Sequence, residues 1–198
     1  MAQPYPYTPP PAAGPGMPPI PPTRPSSNTW IIVLAVGGGV GLFFIVLAVM
    51  AVSGVRRYVA LSKTAEAMNT VGMLSKDAVS AYERDDAPRG PELCASATHP
   101  VPRSTADITG KKYMSTPTDW TDGPPEAGFA CLRFEMSMPQ YYQYDYRSTG
   151  PQGRFTAMAK GDLDGDGELS EISQEGEVDR STKSVRVSPS LKQVRPEE

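Results

Sequence analysis

From Trp30 to Val52 the chain reads WIIVLAVGGGVGLFFIVLAVMAV, without a single charged residue, and no proline occurs after it until Pro88. About 20 such residues cross the hydrocarbon of a bilayer, whereas a cleavable signal has a shorter apolar region behind a basic stub. The run predicts a transmembrane helix over residues 29–53 that continues as an amphipathic helix over 54–86. At about 1.5 Å per residue, a helix from Trp30 to Arg84 would be roughly 80 Å long, of which hydrocarbon accommodates about 30 Å. The rest must stand clear of the membrane or pack on a domain. Ala51 and Ser53 are small residues that also suit a signal peptidase, a reading that the length of the run disfavours.

Residues 1–28 hold half of the 22 prolines and one charge, Arg24. Such a composition favours solvated polyproline-like conformers, so a disordered tail is expected there. What remains of the 198 residues suffices for one modest domain, residues 87–180, with a strand or tail over 181–198. The net charge is −3, and basic residues after the apolar run are mixed with acids rather than gathered on an aromatic-interleaved face. Nothing there suggests nucleic acid.

Cys94 and Cys131 are the only cysteines, without CxxC spacing and with His99 as the only histidine. A disulfide is the natural reading, and it would place the domain in an oxidising compartment; two buried thiols are the alternative. The positive-inside rule points the other way, because Arg56, Arg57 and Lys63 come after the run while only Arg24 precedes it. The cysteines and an acidic loop at residues 161–170 favour export of the C-terminal side.

Val55, Tyr58, Val59, Leu61, Ala65, Met68, Val71, Leu74, Ala78, Val79 and Tyr82 recur mostly at intervals of three and four, one face of a helix. Arg57, Lys63, Glu66, Lys76, Asp77 and Glu83 fall opposite, and Asp85, Asp86, Pro88 and Gly90 are expected to end the helix. Strands are expected at Phe129–Met136, Tyr141–Tyr146, Arg154–Lys160, Leu169–Gln174 and Val185–Val187, with a short one at Lys112–Ser115. The fold class is therefore α+β: an antiparallel meander packed on a long helix.

Between two of those strands lies GDLDGDGELS, with Asp162, Asp164 and Asp166 at alternate positions and Gly167 next. That is how the first half of a calcium loop offers three carboxylates to one hard cation, and Glu168 and Glu171 complete the candidate set. The twelfth position falls on Ser173 rather than a bidentate Glu, so any calcium site would be of the weak, extracellular kind. A solvated Asp-Gly hairpin turn accounts for the same residues equally well. Gly37 and Gly41 offer a small-residue surface for a second helix in the membrane, although glycine is common in such helices for no specific reason. The tyrosines at 141–146 suit a sugar-binding face but, more economically, a packed strand. Around His99 no Ser-His-Asp or Cys-His constellation assembles, and no phosphate-binding glycine loop or zinc spacing occurs, so no enzyme is expected.

The segment RRYVALSKTAEAMNTVGMLSKDAVSAYERDD resembles the post-membrane half of a type IV pilin or type II secretion pseudopilin helix. GFACLRF and FTAMAKGDLDGDGELSEI resemble the sheet of pilin-like proteins that carry a calcium loop. The resemblance covers roughly residues 30–180. It implies a single-pass protein of the bacterial inner membrane with its tail cytoplasmic, its domain periplasmic, and other pilin-like or secretion subunits as partners beside the bilayer. One departure is clear: Ser26, Ser27, Asn28 and Thr29 precede the run, and no acid stands within it. The prepilin peptidase site, a Gly before a Phe-led helix with an acid at its fifth position, is not found; Gly41-Leu42-Phe43 lies mid-membrane. The tail is expected to stay attached.

Overall fold

Helix α1 spans Thr29–Tyr82 as one element. The computed structural model describes Gly16, residues 29–84 and residues 91–195. The proline-rich segment, Gly16 apart, and the expected helix stop at Asp85, Asp86, Pro88 and Gly90 lie outside the described residues. The chain divides into two units, Met1–Val49 and Met50–Glu198. In the first, the large apolar side chains from Trp30 onward are exposed on every side of the helix, Leu34, Leu42, Phe43 and Phe44 among them. Water opposes such a surface and hydrocarbon does not. The stretch Trp30–Val52 is long and apolar enough to cross a membrane.

In the second unit the buried stripe of α1 is Thr64, Ala67, Thr70, Val71, Leu74, Ser75, Ala78, Ala81 and Tyr82. Its steps of three and four are those expected, but its membership is partly different: Val55, Tyr58, Val59 and Leu61 are exposed. All four precede Thr64, the first buried position on the helix. Tyrosine and phenylalanine rings from the sheet fill the core, so the helix contributes mostly small residues. Two of the buried hydroxyls are satisfied within the helix, Thr64 Oγ1 donating to the Ala60 carbonyl at 3.0 Å and Ser75 Oγ to that of Val71 at 2.9 Å, whereas those of Thr70 and Tyr82 reach Tyr144 and Gln152.

Five strands form one antiparallel sheet: β1 Gln143–Ser148, β2 Arg154–Gly161, β3 Ser170–Asp179, β4 Ser184–Val187 and β5 Lys192–Val194. They run in the order β1-β2-β3-β4, and β5 pairs with the first part of β3 while β4 pairs with the last. Large residues face small ones across the ladder, Tyr144 opposite Ala159, Tyr146 opposite Ala157, and Phe155 opposite Gly176. A side chain at Gly176 would meet the Phe155 ring at 2.2 Å, so the pairing there requires glycine. Strand β2 lies where expected, β3 begins one residue later than expected and runs five residues further, to Asp179, and β1 begins two residues later than expected. Strand β5 has no counterpart in the sequence pattern, because its three residues are all exposed and show no alternation.

The strand expected at Phe129–Met136 is instead a short helix, α3, Gly128–Leu132, ended by Arg133 at φ 58°. Phe129 and Leu132, three apart, share its buried face. Phe129 and Phe134 meet Trp120 edge-on at 4.9 and 5.2 Å; Trp120 belongs to helix α2, Pro117–Thr121. Alternation of Ala130, Leu132 and Phe134 suits a strand, but Cys131 is bound to Cys94 and a Cβ at Gly128 would lie 2.6 Å from Ala97 Cα. These tertiary constraints override the local pattern. Lys112–Ser115 forms no strand either, only a bridge between Tyr113 and Gln140.

Candidate metal centre

Strand β2 delivers the chain to the acidic loop at Gly161, where a Cβ would stand 2.7 Å from the Tyr142 ring, and Gly161 pairs with Ser170 to close the loop. Asp162 comes next and is 1% exposed. Its Oδ1 accepts the Gly165 N–H at 2.7 Å and its Oδ2 the Gly167 N–H at 3.1 Å. Gly165 and Gly167 adopt φ of 85° and 92°, the left-handed region in which glycine carries no steric penalty. The pattern repeats outward: Asp164 Oδ1 accepts the Asp166 N–H at 3.2 Å, and Asp166 Oδ1 that of Glu168 at 2.7 Å. Each aspartate folds the backbone behind it.

The loop is held at its base from two sides. Gly110 N–H donates to the Asp162 carbonyl at 3.0 Å, and Lys63 Nζ on α1 donates to that of Leu163 at 3.3 Å. Oxygen atoms of Asp162, Asp164 and Asp166 all lie within 4.8 Å of one another. Each carboxylate pair at that range repels by about 1 kcal/mol even at the dielectric of water. Three hard oxygens with free lone pairs fit a calcium ion chemically. Glu168 and Glu171 do not join them: Glu168 pairs with Arg195 at 3.4 Å and Glu171 with Lys160, its cross-strand neighbour, also at 3.4 Å.

The disulfide between Cys94 and Cys131 is present. Elsewhere, His99 Nε2 lies 3.0 Å from Asp122 Oδ2, which Arg103 also contacts. The His99 bond, ahead of the Arg103 charge, holds the exposed Asp122 carboxyl below the usual carboxylate range. Tyr142, Tyr144 and Tyr146 are in the core, and a half-buried Glu66 on α1 accepts both the Tyr141 N–H at 3.0 Å and the Tyr144 hydroxyl at 3.2 Å. The apolar periodicity of the helix assigns Glu66 to the solvent face. The one signal against that assignment is its helical spacing from the buried Thr70, which a purely apolar stripe ignores.

By architecture, this is an α+β chain with an N-terminal apolar helix and a small antiparallel sheet. No family model matches it, and neither does any curated protein or solved structure.

Proposed function

We propose that this chain is a membrane-anchored, pilin-like structural and interaction protein, a subunit or accessory of a type IV pilus or type II secretion assembly. The observation that carries the reading is helix α1: one element that begins as an apolar span and ends as the buried stripe beneath an antiparallel sheet. Two further features fit it, the bridge between Cys94 and Cys131, which persists in oxidising compartments, and the acidic hairpin loop. On this reading the N-terminal tail is cytoplasmic and the domain lies beyond the inner membrane, against the bias of Arg56, Arg57 and Lys63.

Extraction in mild detergent tests it. Co-purification with proteins that share the helix-plus-sheet architecture is expected, and a monodisperse monomer free of such partners argues against the assembly role. Intact mass of the extracted chain reports tail retention and the disulfide together, and a mass beginning near Gly54 would remove the anchor.

The convergence of Asp162, Asp164 and Asp166 favours a second reading, a tethered binding module ordered by calcium. Calcium would neutralise the three carboxylates and stiffen the loop. Millimolar calcium should then raise the melting temperature of the full chain in detergent, because a ligand that binds only the folded state stabilises it. An unchanged melt leaves the loop as a turn.

A further inference from the structure

Asp122, Asp164 and Asp166 are each followed by glycine. The backbone nitrogen of a glycine, unhindered by a side chain, attacks Cγ of the aspartate before it and closes a five-membered imide, provided that both groups are free to meet. In the acidic loop neither group is free. Gly165 N–H donates to Asp162 Oδ1 at 2.7 Å, and Gly167 N–H to Asp162 Oδ2 at 3.1 Å. The carboxylates that would be attacked are engaged as well, Asp164 Oδ1 by the Asp166 N–H and Asp166 Oδ1 by the Glu168 N–H. Asp162 is itself buried, so water does not compete for its oxygens.

The Asp122–Gly123 bond, between α2 and α3, has the opposite arrangement. Every residue from Thr121 to Glu126 is exposed, and Gly123 N–H makes no hydrogen bond among the described residues. Only one oxygen of Asp122 is held: Oδ2 meets both His99 Nε2, at 3.0 Å, and Arg103, whereas Oδ1 has no partner among the described residues. These contacts favour the ionised carboxyl and so slow the reaction, yet they occupy neither Oδ1 nor the glycine nitrogen. Gly123 stands at φ 134°, and a Cβ there would lie 2.5 Å from Thr98 Oγ1. The fold therefore requires the very residue that makes the bond reactive.

We propose that Asp122–Gly123 is the site at which this protein spontaneously isomerises its backbone, and that the Asp162 carboxylate shields the other two Asp–Gly bonds. With the Asp122 carboxyl protonated, the Gly123 nitrogen forms a bond to Cγ, and its hydrogen leaves with the Oδ1 hydroxyl as water. A second water opens the imide. Attack at the former side-chain carbon restores aspartate; attack at the backbone carbonyl carbon gives isoaspartate, with the mass unchanged. Isoaspartate lengthens the backbone between α2 and α3 by one carbon and displaces the carboxylate that His99 and Arg103 contact. The proposal is independent of the anchor and of calcium.

The test ages the full chain in detergent at neutral pH with calcium chelated, both folded and unfolded in urea. Isoaspartate is then mapped at the three positions by a protease that cuts before aspartate but not isoaspartate, and by electron-transfer fragmentation of the peptides. Folded wild type should accumulate isoaspartate at Asp122 severalfold faster than at Asp164 or Asp166, and the unfolded chain should form it at comparable rates at all three. D162A, which frees the N–H groups of Gly165 and Gly167, should speed Asp164 and Asp166 severalfold and leave Asp122 unchanged. Equal rates at the three positions in the folded chain, or faster reaction in the acidic loop, overturn the proposal. So does a preference for Asp122 that persists undiminished in urea, because the fold then contributes nothing. A folded D162A whose loop reacts as slowly as that of wild type removes the shielding role. If D162A melts early, the comparison of folded with unfolded wild type decides.

Discussion

The Tyr144 hydroxyl on β1 donates to Glu66 Oε1 on α1 at 3.2 Å, a polar bond across a mostly apolar helix–sheet interface. The same oxygen accepts the Tyr141 N–H at 3.0 Å, just before β1 begins. Glu66 thus fixes the start of the sheet to one turn of the helix. Two bonds to a carboxylate offset much of the cost of burying it, and the balance depends on its charge.

Burial pushes the Glu66 carboxyl above its ordinary 4.5, outweighing the Tyr141 N–H, the Tyr144 hydroxyl and the Lys112 charge that pull it down. Between 4.5 and that raised value the folded chain holds more protons than the unfolded one. Its stability therefore falls as pH rises through the window. Glu66→Gln removes this dependence while keeping an acceptor for Tyr144. Denaturant melts of both proteins from pH 4 to 7 should show wild type losing ground steadily to the variant. Asp77 and Asp145, also raised chiefly by burial, are common to both and cancel. A gap independent of pH would refute burial as the dominant influence on Glu66.

Tyr144 and Tyr146 are equally buried, but their hydroxyls differ. That of Tyr146 has no hydrogen-bond partner among the described residues, and burial drives it above the ordinary phenol range. Tyr146→Phe should leave stability unchanged or raise it by about 1 kcal/mol, whereas Tyr144→Phe should cost about 1–3 kcal/mol by stripping a donor from Glu66. Urea denaturation midpoints at pH 7 distinguish the two. Equal losses would mean the Glu66 bond contributes nothing.

Cys94 and Cys131, 37 residues apart, tie the segment after α1 to α3. By chain-entropy reasoning a bridge of that span contributes about 4 kcal/mol, a large share of a small domain's stability. Cys94→Ser with Cys131→Ser should lower the melting temperature markedly, and reductant should do the same to wild type. A reductant-insensitive melt would show that the bridge constrains little in the unfolded chain.

Within the acidic loop, Asp162 differs in role from its neighbours. It is buried and accepts two backbone N–H groups, while Asp164 and Asp166 are exposed. Asp162→Ala should destabilise the calcium-free protein by about 1–3 kcal/mol through two orphaned donors. Asp164→Asn with Asp166→Asn should leave the calcium-free melt nearly unchanged yet erase any calcium-induced rise. If the double variant retains that rise, the ion binds elsewhere.

The apolar span, the continuation of its helix, the β2–β3 hairpin and the cysteine pairing are legible from the residues alone, because each rests on a local pattern or on a single available partner. The gathering of Asp162, Asp164 and Asp166 belongs with them, since alternate acids in a glycine turn converge whatever surrounds them. Long-range packing, by contrast, makes Phe129–Leu132 helical, where the disulfide and the close approach of Gly128 to Ala97 outweigh an alternation that suits a strand. It also turns Glu66 toward β1, and Glu168 and Glu171 toward Arg195 and Lys160. The difference is one of range: periodicity records which face of an element is apolar, but the partner of a polar side chain such as Glu66 lies far along the chain and is chosen only when the core closes.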